Sequence, residues 1–118
     1  SEGIKGRADI TAMLQVLFNL VENALKFTPP GGRVGIRSRL DQGRWILEVW
    51  DTGRGMSLKQ LGRIFEPFKQ NEANDAALGW GLGLSICRAL MTAQGGDLTV
   101  ESVEGQGSTF RAGLPVLK

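Results

Sequence analysis

Histidine is missing altogether from these 118 residues. Its absence removes Ser–His–Asp hydrolysis, His-ligated zinc and imidazole acid–base chemistry. Cysteine occurs once, as Cys87, so no disulfide can form within the chain, which fits a reducing compartment. No signal peptide is visible, and no apolar run is long enough to cross a bilayer. Excess charge is scarce too: 14 Lys+Arg against 12 Asp+Glu leave a formal net charge of +2. Electrostatics alone therefore suggest neither nucleic acid nor a membrane surface as a partner. The length suits one domain with a core and is too short for two, so residues 1–118 read as a single domain. What the chain has in plenty is glycine, 17 residues, concentrated in a few loops.

The pattern between those loops is regular. After Asp9, a candidate N-cap, Ile10, Met13, Leu14, Leu17, Leu20, Val21, Ala24 and Leu25 recur at helical spacing. Pro29-Pro30 stops the run, which predicts a helix over 10–27. "RVGIRSRL" alternates Val34, Ile36, Ser38 and Leu40 against Arg37 and Arg39. "DQG" then reads as a hairpin turn and "RWILEVWD" as the partner strand, with Trp45, Leu47, Val49 and Asp51 on one face. Ser57 caps a short helix in "SLKQLGRIF"; no period holds over 69–80; "GLGLSICRALMTAQ" predicts a second long helix closed by Gly95-Gly96. "DLTVESV" and "STFRAGLP" flank the turn "EGQG" as a final hairpin. The order predicts an α+β domain in which hairpin strands share a sheet covered by helices.

Three features within this frame carry chemistry. At 100° per residue Asn19, Glu22, Asn23 and Lys26 share one stripe of the first helix, with Gln15 a turn earlier. Amide carbonyls can ligate a hard cation and Lys26 can meet a phosphate, although a solvated face with a Glu22–Lys26 pair would read the same way. Asparagine is nevertheless a poor choice for a merely wet helix face. In "DTGRGM", Asp51 ends an apolar strand and precedes Gly53 and Gly55. A carboxylate there needs donors, and an exocyclic amine such as that of adenine would suit it; the bland reading is a tight turn closed by Asp. In "GWGLGLS", Gly79, Gly81 and Gly83 precede a helix, where backbone N–H groups can approach phosphate. The spacing matches neither the dinucleotide fingerprint nor a Walker loop.

Taken in order, the asparagine stripe, DTGRGM, "IFEPF" and GWGLGL closely resemble the N, G1, F and G2 boxes of the ATP-binding catalytic domain of sensor histidine kinases. These belong to the superfamily that includes gyrase, Hsp90 and MutL. The resemblance covers roughly residues 9–114. It implies a two-layer α/β sandwich of the Bergerat type, with a mixed, mostly antiparallel sheet covered on one face by about three helices. It implies ATP and Mg²⁺ as ligands, with Asn23 joined by Asn19 on the metal and Lys26 on phosphate. Asp51 would accept the adenine amine, Gly53 and Gly55 would shape the purine slot, and Thr109 would assist through water. Phe65 and Phe68 would anchor the root of an ATP lid over 69–78. Gly79, Gly81 and Gly83, with Trp80 and Leu82 between them, would let the lid hinge and wrap the phosphates. Glu22 is the acid placed to polarise a nucleophile. Lys69 stands where many relatives carry an arginine for the γ-phosphate.

The resemblance further implies transfer of the γ-phosphoryl group to a histidine. With none in this chain, the acceptor lies on a separate dimerisation domain, in cis or in trans, with a response regulator downstream. The expected setting is the cytoplasm, or the cytoplasmic part of a membrane-bound sensor, with no direct contact to membrane or nucleic acid and a monomeric isolated domain. A regulatory or serine-directed module of the same superfamily is the alternative. The DTG triplet also marks dimeric aspartic proteases, but the residues after Gly53, the long helices and the asparagine stripe do not fit one. Cys87, beside Leu84 and Leu90, is expected in the core.

Overall fold

Helix α1, Ile10–Phe27, is the longest element and organises one layer. The computed structural model describes residues 10–65 and 83–115; Asp9, read above as the N-cap, lies outside them. α1 ends where expected, because the Thr28 hydroxyl donates to the Ala24 carbonyl at 2.7 Å and Pro29-Pro30 follow. Its buried face is Ala12, Met13, Val16, Leu20 and Ala24. The wide apolar face read from the sequence is therefore split: Ile10, Leu14 and Leu25 are all exposed. Helical periodicity finds an apolar arc but not which part of it meets the sheet.

Strands β1, Val34–Asp41, and β2, Arg44–Asp51, form the first hairpin. Its two-residue turn holds Gln42 at φ 53° and Gly43 at φ 80°, the paired left-handed geometry that matches strand twist. A capped single turn, α2 at Leu58–Leu61, follows; Ser57 Oγ accepts from the Gln60 N–H at 3.2 Å while the Gln60 side chain accepts from the Ser57 N–H at 2.9 Å. Helix α3, Gly83–Ala93, ends at Gly95, φ 80°, as Gly96 N–H reaches back to the Met91 carbonyl. Strands β3, Asp97–Val103, and β4, Gly107–Pro115, complete an antiparallel sheet in the order β1-β2-β4-β3. α1 and α3 cover one face of it, and the core of Val16, Leu20, Val49, Leu84, Cys87, Met91 and Leu98 lies between the layers. Cys87 is fully buried there, as its spacing suggested.

The other face of the sheet is ionic. Glu48 on central β2 is only 5% exposed, yet three arginines converge on it. Arg37 Nε donates to Oε1 at 3.1 Å, while Arg39 Nη1 and Arg111 Nε donate to Oε2 at 2.8 and 2.6 Å. The register places these residues side by side: Arg37 and Arg111 flank Glu48 on β1 and β4. The three guanidinium groups close over the carboxylate while the arginine side chains themselves stay partly exposed. Hydrogen bonds from Arg39 and then Arg111 outweigh the burial penalty and hold the Glu48 carboxyl down at about 2, from an ordinary 4.5.

The second hairpin is fastened to the loop after β2. Gly105 N–H donates to the Arg54 carbonyl at 2.6 Å, and Met56 N–H donates to Ser102 Oγ at 2.8 Å. Ser102 Oγ also bonds the Gly107 carbonyl and Ser108 Oγ. At Gly107, φ 125°, a Cβ would run into the Asp51 carbonyl oxygen, so the two backbones touch only because no side chain intervenes.

Two outcomes are expected. Glu48 titrates below its unfolded value, so its contribution is complete above about pH 4.5 and lost as pH falls toward 2. Urea unfolding at pH 7 should show Glu48→Gln less stable by about 2 kcal/mol, a gap that closes in acid; a gap independent of pH contradicts the ionic account. Gly107→Ala should cost more than about 2 kcal/mol, while Gly105→Ala in the same turn, φ 86° with open space around it, should cost about 1 kcal/mol from backbone strain alone. Equal losses in the two variants would show that the close approach at Asp51 does not constrain the loop.

Candidate functional site

A cleft opens on the helix side of the sheet, between the C-terminal half of α1 and the ends of β2 and β4. Asn23, Ala24 and Phe27 form its α1 wall, Gly55 and Met56 its loop wall, and Asp51, Ser108 and Phe110 its floor. The strand period explains why an acid sits there. Leu47 and Val49 face the helices, so Asp51 two residues on faces them as well. Burial pushes the Asp51 carboxyl above the usual aspartate range, opposed by hydrogen bonds from the backbone N–H groups of Gly53 and Ser108. The Gly53 N–H donates to Oδ1 at 2.8 Å. The result is a half-buried acceptor held by backbone donors and open toward the cleft.

The glycines of DTGRGM act differently from the expectation that they leave room for a ring. A Cβ on Gly53 would strike the Phe27 carbonyl, and one on Gly55, φ 66°, would strike the Val103 carbonyl. Both let the loop press against α1 and the β3–β4 turn, which fixes the Asp51 side chain in place. Gly55 also borders the cleft. Thr52 ties the loop to the α1–β1 connection: its N–H donates to the Arg33 carbonyl at 3.0 Å and its hydroxyl accepts from the Arg33 N–H at 2.9 Å. Arg54 lies over the Phe27 ring at 5.2 Å from the centroid.

The two asparagines have different settings. Asn23 lines the cleft. Asn19, one turn earlier and half-buried, turns toward α3, where its Nδ2 donates to Cys87 Sγ at 3.5 Å. Glu22 and Lys26 are exposed on the same stripe, beyond the cleft wall. Phe65 packs against the core edge with the Arg88 guanidinium 4.2 Å over its ring. Gly83 opens α3 with free space where a Cβ would be. Phe68, Lys69, Gly79, Trp80, Gly81 and Leu82, and the lid span 69–78, lie outside the described residues.

Thr109 is not brought to the cleft. It pairs with Trp50 and Glu101 on the ionic side of the sheet, and Ser108 takes the place beside Asp51. Alternation anchored on Phe110, which must face the core, identifies Ser108 from the sequence, because positions two apart share a face. Phe27, Met56 and Ser102 also escaped the sequence reading. Their roles come from tertiary contacts with Arg54, Ser102 and Ser108, for which no local pattern exists.

Comparison with known proteins places this geometry. Residues 8–118 match the family described as histidine kinase-, DNA gyrase B-, and HSP90-like ATPases. The chain is 44% identical over 111 residues to the histidine protein kinase DivJ of Caulobacter vibrioides, covering 93% of this chain and 19% of DivJ. It is 38% identical over 112 residues to the adaptive-response sensory kinase SasA of Synechococcus elongatus, covering 94% of this chain and 29% of SasA. The chain thus spans less than a third of these curated relatives. Among solved structures, the nucleotide-free catalytic domain of histidine kinase ThkA superposes with a TM-score of 0.78 at 34% identity, covering 92% of this chain and 69% of that one. Full-length ShkA in complex with AMPPNP gives 0.79 at 35% identity, covering 93% and 23%. A protease reading of DTG falls with these matches. The chain belongs to the histidine kinase-, gyrase B- and HSP90-like ATPase family, as a catalytic domain of the sensor histidine kinase type.

Proposed function

We propose that the cleft binds ATP with the adenine on Asp51 and the phosphates along the asparagine stripe of α1, and that the domain passes the γ-phosphoryl group to a histidine on a separate dimerisation domain. The observation that carries this is the Asp51 carboxylate, half-buried on the cleft floor and held by backbone N–H groups alone among the donors named above. An exocyclic amine supplies the missing donor; the carbonyl oxygen that guanine or hypoxanthine puts in the same place would face it lone pair to lone pair. The relatives are named as histidine kinases and sensor proteins, which favours transfer to histidine over the regulatory or serine-directed reading.

A divalent cation fits the residues present. Among the described residues no group of three acidic, cysteine or histidine side chains could cage a metal. On the α1 side of the cleft the amide carbonyls of Asn23 and, one turn away, Asn19 are hard oxygen donors that would share Mg²⁺ with the nucleotide's own phosphate oxygens. When bound, Mg²⁺ neutralises phosphate charge. Lys26, exposed on the same stripe, would add a contact to phosphate. In the transfer the bond between the γ-phosphorus and its bridging oxygen breaks and a phosphorus–nitrogen bond to imidazole forms, with ADP leaving. This needs positioning and charge neutralisation more than covalent help from the domain. Glu22 and Lys69 are the candidates for assisting the acceptor and the γ-phosphate. A response regulator that accepts the phosphoryl group downstream, and a cytoplasmic setting, complete the proposal.

Asp51→Asn separates binding from folding. The folded state raises the Asp51 pKa, so the ionised side chain opposes folding at neutral pH, and its protonated form favours the fold in acid. The variant should therefore unfold at the same or a higher temperature than the parent at pH 7. Calorimetry should show ADP affinity reduced by at least about tenfold, the worth of a hydrogen bond to a charged group. The parent should bind ADP and reject inosine and guanosine diphosphates. Undiminished ADP affinity in Asp51→Asn removes the carboxylate from the purine site.

A further inference from the structure

We infer that Cys87 is a positioning residue for the metal end of the site: its thiol turns the Asn19 amide so that the carbonyl oxygen, and not the NH₂ group, is presented on the stripe shared with Asn23. The inference rests on the nucleotide reading of the cleft given above.

Three observations combine. Cys87 is fully buried where α3 packs on α1, so its contacts are fixed by the helix–helix interface. Its Sγ accepts from Asn19 Nδ2 at 3.5 Å. Its Sγ also lies 3.9 Å from the Val16 carbonyl oxygen of α1, an acceptor within reach of its one hydrogen. A thiol has one hydrogen, and with that hydrogen aimed at a carbonyl it offers the neighbouring amide only lone pairs. The NH₂ end of Asn19 therefore turns inward to sulfur, and Oδ1 turns to the other side of the side chain. The two ends of an asparagine amide are nearly equal in size and opposite in chemistry, so packing alone does not choose between them. A hard cation takes only the oxygen. Asn19 and Asn23 are four residues apart on one helix face, the spacing at which both amides can serve one ion. Cysteine can set this orientation from inside the core, since it packs as a small hydrophobe and still hydrogen-bonds weakly. A valine of similar volume would fill the space and leave the amide free to flip.

The test is a titration of ADP into the wild-type domain, Cys87→Val and Cys87→Ser, each in Mg²⁺ and in EDTA, with thermal melts of every variant. Cys87→Val should weaken ADP binding in Mg²⁺ by about three- to tenfold, the range of one modest hydrogen bond, and leave the affinity in EDTA unchanged. Cys87→Ser, which keeps a donor and an acceptor, should restore the metal-dependent gain. In an Asn19→Ala background, Cys87→Val should add no further loss. Cys87→Ala replaces Cys87→Val if its melt shows a disturbed fold, with the same expectation. A loss equal in Mg²⁺ and EDTA, or no loss, overturns the inference and leaves Cys87 as packing. Wild-type binding of ADP that ignores Mg²⁺ overturns it while the adenine site stands; failure of the wild type to bind ADP at all overturns both.

Discussion

The site depends on a carboxylate that the sheet forces inward. β2 buries Leu47 and Val49 against the helices, and the strand period leaves Asp51 no choice but the same face. In a protein selected only for stability that position would be apolar, because a half-buried acid raises its own pKa and weakens the fold. The chain tolerates it by surrounding Asp51 with backbone: Gly53 N–H on one side, Ser108 N–H on the other, and the Gly107 backbone pressed against its main chain. None of these partners can rotate away as a side chain would. The acid is thereby held by main-chain donors while it faces the cleft.

The two faces of the sheet divide the work. The helix side holds the core and the cleft, and its polar groups are few and directed. The opposite side is a lattice of charges centred on Glu48, with Arg111 reaching on to Glu101 and Arg44 paired to Asp97. That lattice ties β1, β2 and β4 together from behind. Since β2 and β4 carry Asp51, Ser108 and Phe110, an ionic network on one face sets the register of the cleft floor on the other. The site's precision thus rests on cross-strand pairing more than on any property of the loop sequence itself.

Much of the fold was legible because its signals are local. The bounds of α1 follow from apolar spacing and Pro29-Pro30, those of the first hairpin from alternation and the Gln42-Gly43 turn, and the end of α3 from its paired glycines. The site was legible where a residue's place follows from its own element, as for Asn23 and Asp51. It was not legible where a residue matters through another element. Ser102 is invisible until β3 is laid beside β4 and the loop at Met56. The three-arginine setting of Glu48 needs two registers at once. Thr109 and Ser108 are one residue apart, and one residue is the whole difference between the two faces of a strand. Gly53 and Gly55 stand out in the sequence, but the contacts that need glycine there are tertiary: their missing side chains admit backbone from α1 and from the β3–β4 turn.

The proposed nucleotide site requires adenine to be chosen by the acid on the cleft floor. A crystal structure of the domain with ADP tests this without reference to rates or partners. It should place the exocyclic amine about 3 Å from an Asp51 carboxylate oxygen, with the phosphate tail running toward Asn23 and Asn19. An adenine ring bound elsewhere, or a cleft filled by repacked side chains of Phe27 and Met56 while ADP sits on another surface, would contradict it.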